Sequence, residues 1–228
     1  MGRYTRNIKT LSHEENEKLK DCKVCVVGCG GLGGYVIEML GRIGVGHITA
    51  VDGDGFDESN LNRQILSDTY CLDKNKSIAA KERMERVNPL IRLNPINEML
   101  TIENCKKIIQ GHDVVVDALD SIDTRRLLQN MCEESNIPMV SGAIAGWYGQ
   151  ATTIYPKERT LDFIYRDKKG KGIEKELGNP SFTPALIASI EVSEVIKILI
   201  GRGELLRKKI LFIDLLSGEY DVVLLAEN

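Results

Sequence analysis

Apolar positions along the chain follow two alternating rhythms: short runs of β-branched residues, then stretches whose apolar residues recur at helical spacing. "KVCVV" (23–27) predicts a buried strand. Leu32, Val36, Leu40 and Ile43 then mark one face of a helix over 32–42, and Gly44 and Gly46 turn the chain into a second strand, "HITAVD" (47–52). Upstream, Ser12 with Glu15 three residues later reads as a capping box that opens a short helix to Leu19. Downstream, the pattern predicts a helix over 77–87, then a weak strand over 93–97 that Pro95 assigns to a sheet edge. A helix over 102–110, the strand "DVVVDA" (113–118) and a helix over 124–134 leading into "PMVSG" complete the series. Such alternation predicts an α/β, Rossmann-like, doubly wound and mostly parallel sheet.

Past Gly142 the rhythm changes. "GQATTIY" reads as a strand, 156–182 is a long Lys- and Gly-rich connection, and 184–200 is a helix. "KILFIDLLSGEYDVVLLAE" reads as a hairpin turning at Ser217 and Gly218, so antiparallel C-terminal strands extend the sheet. A connection as long as 156–182 is unusual in a compact domain unless it is a functional loop. The 228 residues, 43% hydrophobic, suit one domain spanning 1–228, whose rhythm divides it after residue 142.

Charge and cysteines narrow the class. A net charge of −3 provides no sequence-independent attraction to nucleic acid, and no unbroken apolar run is long enough for a membrane span. The first nineteen residues lack the apolar core of a secretory signal, and Arg6 stands where a myristoylation signal would carry Ser or Thr. Six irregularly spaced cysteines read as free thiols in a reducing compartment, so the expected location is cytoplasmic.

The chemistry begins at "GCGGLGG", where Gly28, Gly30 and Gly33 form a GxGxxG pattern between a strand and a helix. That arrangement lets backbone amides at the helix N-terminus approach phosphate oxygens. Asp52, about twenty residues beyond the last glycine, ends the next strand, where a carboxylate can take both hydroxyls of a ribose. A dehydrogenase needs no more than this, yet Asn60, Arg63, Gln64 and Lys76 follow. Cations beside the C-terminal sheet edge suit a triphosphate, since displacement at phosphorus requires positive charge on the developing oxyanions; taken singly, each is equally a solvated surface charge. Asp117 and Asp120 are expected to leave the fourth strand facing the same crevice, where one of them could hold Mg²⁺ between phosphates. The competing reading of Asp120 is a helix cap.

The order of RYTR (3–6), GCGGLGG, DGDGFDESNLNRQ (52–64), a following Lys, ALDS (118–121) and PMVSGAIAGWYGQ (138–150) resembles the E1-like adenylyltransferases of the ThiF, MoeB and HesA group, nearly end to end. The resemblance implies an enzyme that uses ATP and Mg²⁺ to adenylate the C-terminal glycine carboxylate of a small ubiquitin-like sulfur-carrier protein (ThiS/MoaD type, ending in Gly-Gly), usually as a homodimer. Carried onto this sequence, it implies an ATP site of Gly28, Gly30, Gly31, Gly33, Asp52, Asp54, Asn60, Arg63, Gln64, Lys76, Asp120 and Ser121. Asp52 would hold the ribose, Asn60, Arg63 and Lys76 the phosphates, and Asp120 the Mg²⁺ and the transition state. Arg6 would reach the neighbouring subunit's triphosphate, 1–142 would be the nucleotide-binding half and 143–228 the carrier-binding half.

The sequence also departs from that pattern. Many relatives carry two CxxC pairs for a structural zinc, but here no cysteine lies beyond Cys132, so no zinc is expected. Cys22 and Cys25 straddle a strand's start with opposed side chains, which points to core packing. The 156–182 connection has no cysteine for a covalent carrier intermediate, and Cys71, ahead of Lys76, is the thiol whose position leaves exposure open. Ser121 replaces the family's Asn after the acid. Gly170, Gly172 and Gly178 suit a flap over the carrier's tail. Arg166, Lys168, Lys169 and Lys171 could meet an acidic carrier or simply be solvated, and Trp147 and Tyr148 could line the tail channel or pack at an interface. The alternatives are adenylation of a peptide C-terminus or tRNA base, an NAD-dependent oxidoreductase, or a non-catalytic module that binds a ubiquitin-like protein.

Overall fold

In the computed structural model, which describes residues 2–166, 170 and 177–225, one eight-stranded sheet organises the chain in the order β3-β2-β1-β4-β5-β6-β7-β8. The strands are β1 (Lys23–Val27), β2 (His47–Val51), β3 (Arg92–Ile96), β4 (Val114–Asp117), β5 (Met139–Ala145), β6 (Tyr148–Ile154), β7 (Lys209–Asp214) and β8 (Glu219–Leu224). β3 through β5 run parallel, and β6, β7 and β8 add antiparallel ladders, as the change of rhythm after Gly142 implied.

Helices cover both faces. Val24 and Val26 of β1 point into the layer formed by α1 (His13–Leu19), α2 (Gly31–Ile43), α3 (Lys76–Val87) and α7 (Phe182–Ile200). Cys25 and Val27 point into the layer formed by α4 (Cys105–Ile109), α5 (Ile122–Glu134) and α6 (Thr160–Ile164). Burial of a strand on both faces is the reason β1 and β4 read as continuous apolar runs. The capping box at Ser12 forms as expected, with its Oγ accepting from the Glu15 amide and the Glu15 carboxylate accepting from the Ser12 amide. Pro95 does sit in an edge strand, β3.

Two local differences have physical causes. The connection expected at 156–182 contains α6, a five-residue helix held by Leu161, which is buried, and by the Leu161 amide donating to Gln129 Oε1 at 2.8 Å. Five residues are too few to show a helical period in sequence. Arg166 is exposed within 5.8 Å of the Phe163 ring centre, whereas Lys168, Lys169, Lys171 and Gly172 lie outside the described residues. Secondly, β5 extends to Ala145, so the expected boundary between halves at 142 falls inside a strand.

The N-terminal segment is fastened at the far end of α2 from its glycine-rich start. The Tyr4 ring packs on Gly44, the C-cap of α2, and its hydroxyl accepts from Asn88 Nδ2 at 2.7 Å. Among the described residues, no helix is long and apolar enough to cross a membrane.

All six cysteines are free and buried. Cys22 and Cys25 belong to the two opposite core layers, so this CxxC cannot converge on one ion. Cys71 is buried too, and burial, with Asp68 beside it, pushes its thiol up. Thiol-reactive reagent should therefore label no cysteine of the native protein in the time that labels all six after denaturation. Rapid native labelling of Cys71, read by peptide mass mapping, would contradict this burial.

A nucleotide-sized crevice at the strand order reversal

The chain leaves β1 for one side of the sheet and β4 for the other, and ligands of open α/β sheets bind outside the C-terminal strand ends at such a switch point. A crevice of about 540 Å³ opens there, lined by the glycine loop, the segments after β2 and β4, and the start of α3. Gly28 has φ +97°, and a Cβ there would stand 2.5 Å from the Ala118 carbonyl oxygen. A Cβ on Gly33 would meet the Gly28 carbonyl oxygen at 1.8 Å. These two glycines let the loop fold tightly enough for Gly30 and Gly31 to face the crevice at the N-terminus of α2.

Asp52 ties the crevice together. Its Oδ2 accepts from the Cys29 amide at 2.7 Å and its Oδ1 from the Asp54 amide at 2.9 Å, so the acid braces the glycine loop while lining the cavity. Burial pushes its carboxyl up; the two amides and Lys76 pull back against that. Lys76 is itself a buried cation at the first position of α3, with Nζ 3.8 Å from Asp54 Oδ2. Asn60 and Arg63 come from the turn after β2. Asn60 spends its amide on Asp57, while the Arg63 side chain lies along Gly31, with Nη1 on the Ser59 carbonyl at 3.0 Å and on Asn62 Oδ1 at 2.8 Å. Gln64 is buried, and its Oε1 has no hydrogen-bond partner. An orphaned polar end on a cavity wall fits a hydrogen-bonding ligand there.

Of the residues singled out from sequence, Gly28, Gly30, Gly31, Asp52, Asp54, Asn60, Arg63, Gln64, Lys76 and Asp120 line this crevice together, with Gly33 packed beneath. Three do not. Ser121 is the N-cap of α5, its Oγ accepting from the Thr124 amide at 3.4 Å, so the capping role considered for Asp120 belongs to its neighbour. Arg6 is exposed on the segment fastened at the far end of α2, whose thirteen residues span about 20 Å. Asp117, expected to face the crevice, is fully buried: it pairs with Arg125 Nη1 at 3.0 Å and accepts from Ser141 Oγ at 2.7 Å. It is the last residue of β4, and the pleat turns its side chain inward.

Several other lining residues carry no role in the sequence reading, among them Arg125, Met99, Leu100 and Asn179. The sequence signal for Arg125 is a cation one turn into a helix that follows a strand-terminal Asp. Met99 and Leu100 come from the irregular segment after β3, Met99 lying close over Gly53. Asn179, in the "GNP" turn, reaches the mouth through its carbonyl, which accepts from Asn62 Nδ2 at 3.1 Å. Trp147 and Tyr148 are partly exposed outside this lining, Trp147 packing on Phe182 at 4.5 Å between ring centres.

Behind Asp117 and Arg125 lies Glu191 of α7. It is fully buried against Gly142, where a Cβ would stand 2.6 Å from its carboxyl carbon, and neither of its oxygens has a hydrogen-bond partner. Burial, reinforced by the Asp117 charge, raises its carboxyl well above the ordinary range, with Arg125 offsetting part of the effect. Burial among these neighbours favours the protonated form of Glu191. Among the described residues, no three His, Cys, Asp or Glu side chains cluster as a metal cage.

The model of the ThiF family matches residues 4–228. The SAMP-activating enzyme E1 of Haloferax volcanii is 32% identical over 98% of this chain and 84% of that protein. The sulfur carrier protein adenylyltransferase of Thermus thermophilus is 32% identical over all of this chain and 88% of that protein. Among solved structures, E. coli MccB with ATP superposes with a TM-score of 0.77 at 21% identity, covering 94% of this chain and 67% of that one, which shows the shared fold.

Glu191 yields a pH prediction. Its folded-state carboxyl is raised, so the folded protein keeps a proton that the unfolded chain releases above the ordinary value of 4.5, and stability is lost as pH rises from there. Glu191→Gln cannot ionise in either state. Relative to wild type, it should gain up to about 1.4 kcal/mol per pH unit between pH 5 and 7. Urea midpoints that differ by the same amount at both pH values would show that Glu191 is not held protonated.

Proposed function

The chain belongs to the ThiF family, and from that premise we propose that it is an ATP-dependent adenylyltransferase that activates the C-terminal glycine carboxylate of a ubiquitin-like sulfur-carrier protein as an acyl-adenylate. The observation that carries the reading is the meeting of Arg63, the buried Lys76 and Asp120 around a glycine loop already braced by Asp52. A nicotinamide enzyme would leave Arg63, Lys76 and Asp120 together without a role, and Asp52 at the ribose position disfavours a 2′-phosphate. Names of relatives that specify a sulfur carrier protein or a SAMP support the carrier as acceptor.

The chain's residues divide the task as follows. Amides at the start of α2 face the triphosphate, the free lone pairs of Asp52 take the ribose hydroxyls, and Met99 and Leu100 offer an apolar wall to the base. The carrier's carboxylate is already ionised at neutral pH, so no general base is required. The site holds it in line with the α-phosphorus, and Arg63 and Lys76 neutralise the charge that builds on the departing pyrophosphate. Asp120, with no three-residue cage of metal-ligating side chains among the described residues, fits the habit of Mg²⁺, which takes one or two carboxylates and completes its shell from phosphates and water. When bound there, Mg²⁺ would add Lewis-acid stabilisation of the phosphate oxygens. No structural zinc is proposed, since no cysteine follows Cys132. The buried free thiols support a cytoplasmic setting.

The assembly we propose is a homodimer in which Arg6 serves the partner's triphosphate. Its fastening at the far end of α2 supports this, because the distance separates it from its own crevice.

Exchange of pyrophosphate into ATP should require both a divalent cation and a carrier ending in Gly-Gly, and Asp120→Asn should fold normally while losing about 100-fold or more of it. Undiminished exchange in Asp120→Asn would remove that residue from the site, and exchange without any carrier would argue against a protein acceptor. For the shared site, Arg6→Ala and Asp120→Ala protomers are mixed and allowed to exchange. Half the dimers are then mixed, each with one complete site in two, so about a quarter of wild-type activity should return. No recovery despite demonstrated exchange of subunits would place Arg6 outside the partner's site.

A further inference from the structure

The four residues 118–121 join β4 to α5 across the mouth of the crevice and carry Asp120. The peptide groups on either side of Leu119 are gripped by one buried ion pair. The Leu119 amide donates to Asp117 Oδ1 at 3.2 Å, and the Leu119 carbonyl accepts from Arg125 Nη2. Arg125 Nη1 donates in turn to Asp117 Oδ2 at 3.0 Å and to the Gly142 carbonyl at 2.8 Å, fixing the pair to β5. Ser141 Oγ donates to the same Asp117 oxygen at 2.7 Å. Both side chains are almost wholly removed from water, at 7% and 0% exposure.

A buried ion pair is a poor source of stability, because desolvation consumes most of its Coulombic gain and an apolar pair of the same size often serves as well. What it provides is geometry: a planar guanidinium whose donors leave at fixed angles. Those angles here end on the residue before Asp120. Glu191 completes the arrangement from behind, an acid without hydrogen-bond partners beside a pair already balanced in charge.

We propose that Asp117 and Arg125 are positioning residues that fix the peptide ahead of Asp120 and thereby set that carboxylate's reach toward a divalent cation bound with the triphosphate. The proposal rests on the reading of Asp120 given under Proposed function. Asp117 and Arg125 act through Leu119.

The test uses Arg125→Lys, which keeps the charge but cannot hold Asp117 and the Gly142 and Leu119 carbonyls at once, and Asp117→Asn, which keeps the shape and loses the charge. Mn²⁺ binding in the presence of a non-hydrolysable ATP analogue is measured by electron paramagnetic resonance, together with the kcat and KM of pyrophosphate exchange. Both variants should melt cooperatively and bind the analogue alone within about 3-fold of wild type. Mn²⁺ affinity and kcat should each fall about 10- to 100-fold, with KM for ATP little changed. Wild-type Mn²⁺ affinity and kcat in either folded variant would overturn the proposal. So would failure of both variants to fold, because the pair would then serve stability. Asp120→Asn, measured alongside, separates the two readings. If it binds Mn²⁺ and turns over normally, the role of Asp120 is what fails. If it loses both while Arg125→Lys loses neither, the positioning role fails alone.

Discussion

The pairing of β1 with β4 is the constraint on which the rest depends. Val24 to Val27 lie in parallel register with Val114 to Asp117, so the glycine loop and the segment that carries Asp120 leave the sheet side by side although some ninety residues separate them. Because the chain departs from these two strands toward opposite faces, a crevice opens above their ends. Asp52 closes the gap from the other flank by hydrogen bonding the loop amides. The apolar runs of β1 and β4, buried on both faces, hold that register, since a slip of one residue would turn Cys25 and Val27 into the wrong layer.

Much of this was legible in sequence, and for a consistent reason. Strands buried on both faces, a capping box and a glycine loop between strand and helix all have local signatures, and β1, β2 and the C-terminal hairpin fall within a residue or two of where the pattern predicts them. Gly28, Asp52 and Asp120 were legible because each follows or ends a strand in a topology that the alternation implies, whereas Gly31 and Asp54 rest on the family resemblance alone. What escaped notice depends on long-range packing. Asp117 and Asp120 look equivalent in "VVVDALDS", and only the pleat of β4 together with Arg125 decides that one is buried and the other faces the cavity. Met99 and Asn179 sit on irregular segments whose position is set by contacts with Gly53 and Asn62, neither of which has a periodic signal.

The buried charges sort by what they face. Glu38 is paired with Arg42 and Arg83, and Glu194 with Thr153, the Leu206 amide and Lys197, so each is satisfied within the scaffold. Lys76 is different: its acidic neighbour Asp54 is well exposed and 3.8 Å away, a loose pairing for a cation so removed from water. A lysine held dry with a weak partner is primed for an anion that brings its own charge. Glu191 represents the opposite tendency, in which burial favours keeping the proton on the carboxyl.

The two edges of the sheet are unlike. β3 ends one side with Pro95, which has no N–H to offer a further strand, whereas β8 ends the other with all six of its residues exposed. Of the two edges, β8 is therefore the better acceptor of a further strand and β3 the poorer. A contact of β8 with another β8 uses the same edge on both molecules and closes at two copies, whereas a head-to-tail ribbon needs the poorer β3 edge as its acceptor. One imino acid on an edge strand thus tilts stray edge-to-edge association toward contacts that terminate and away from those that grow.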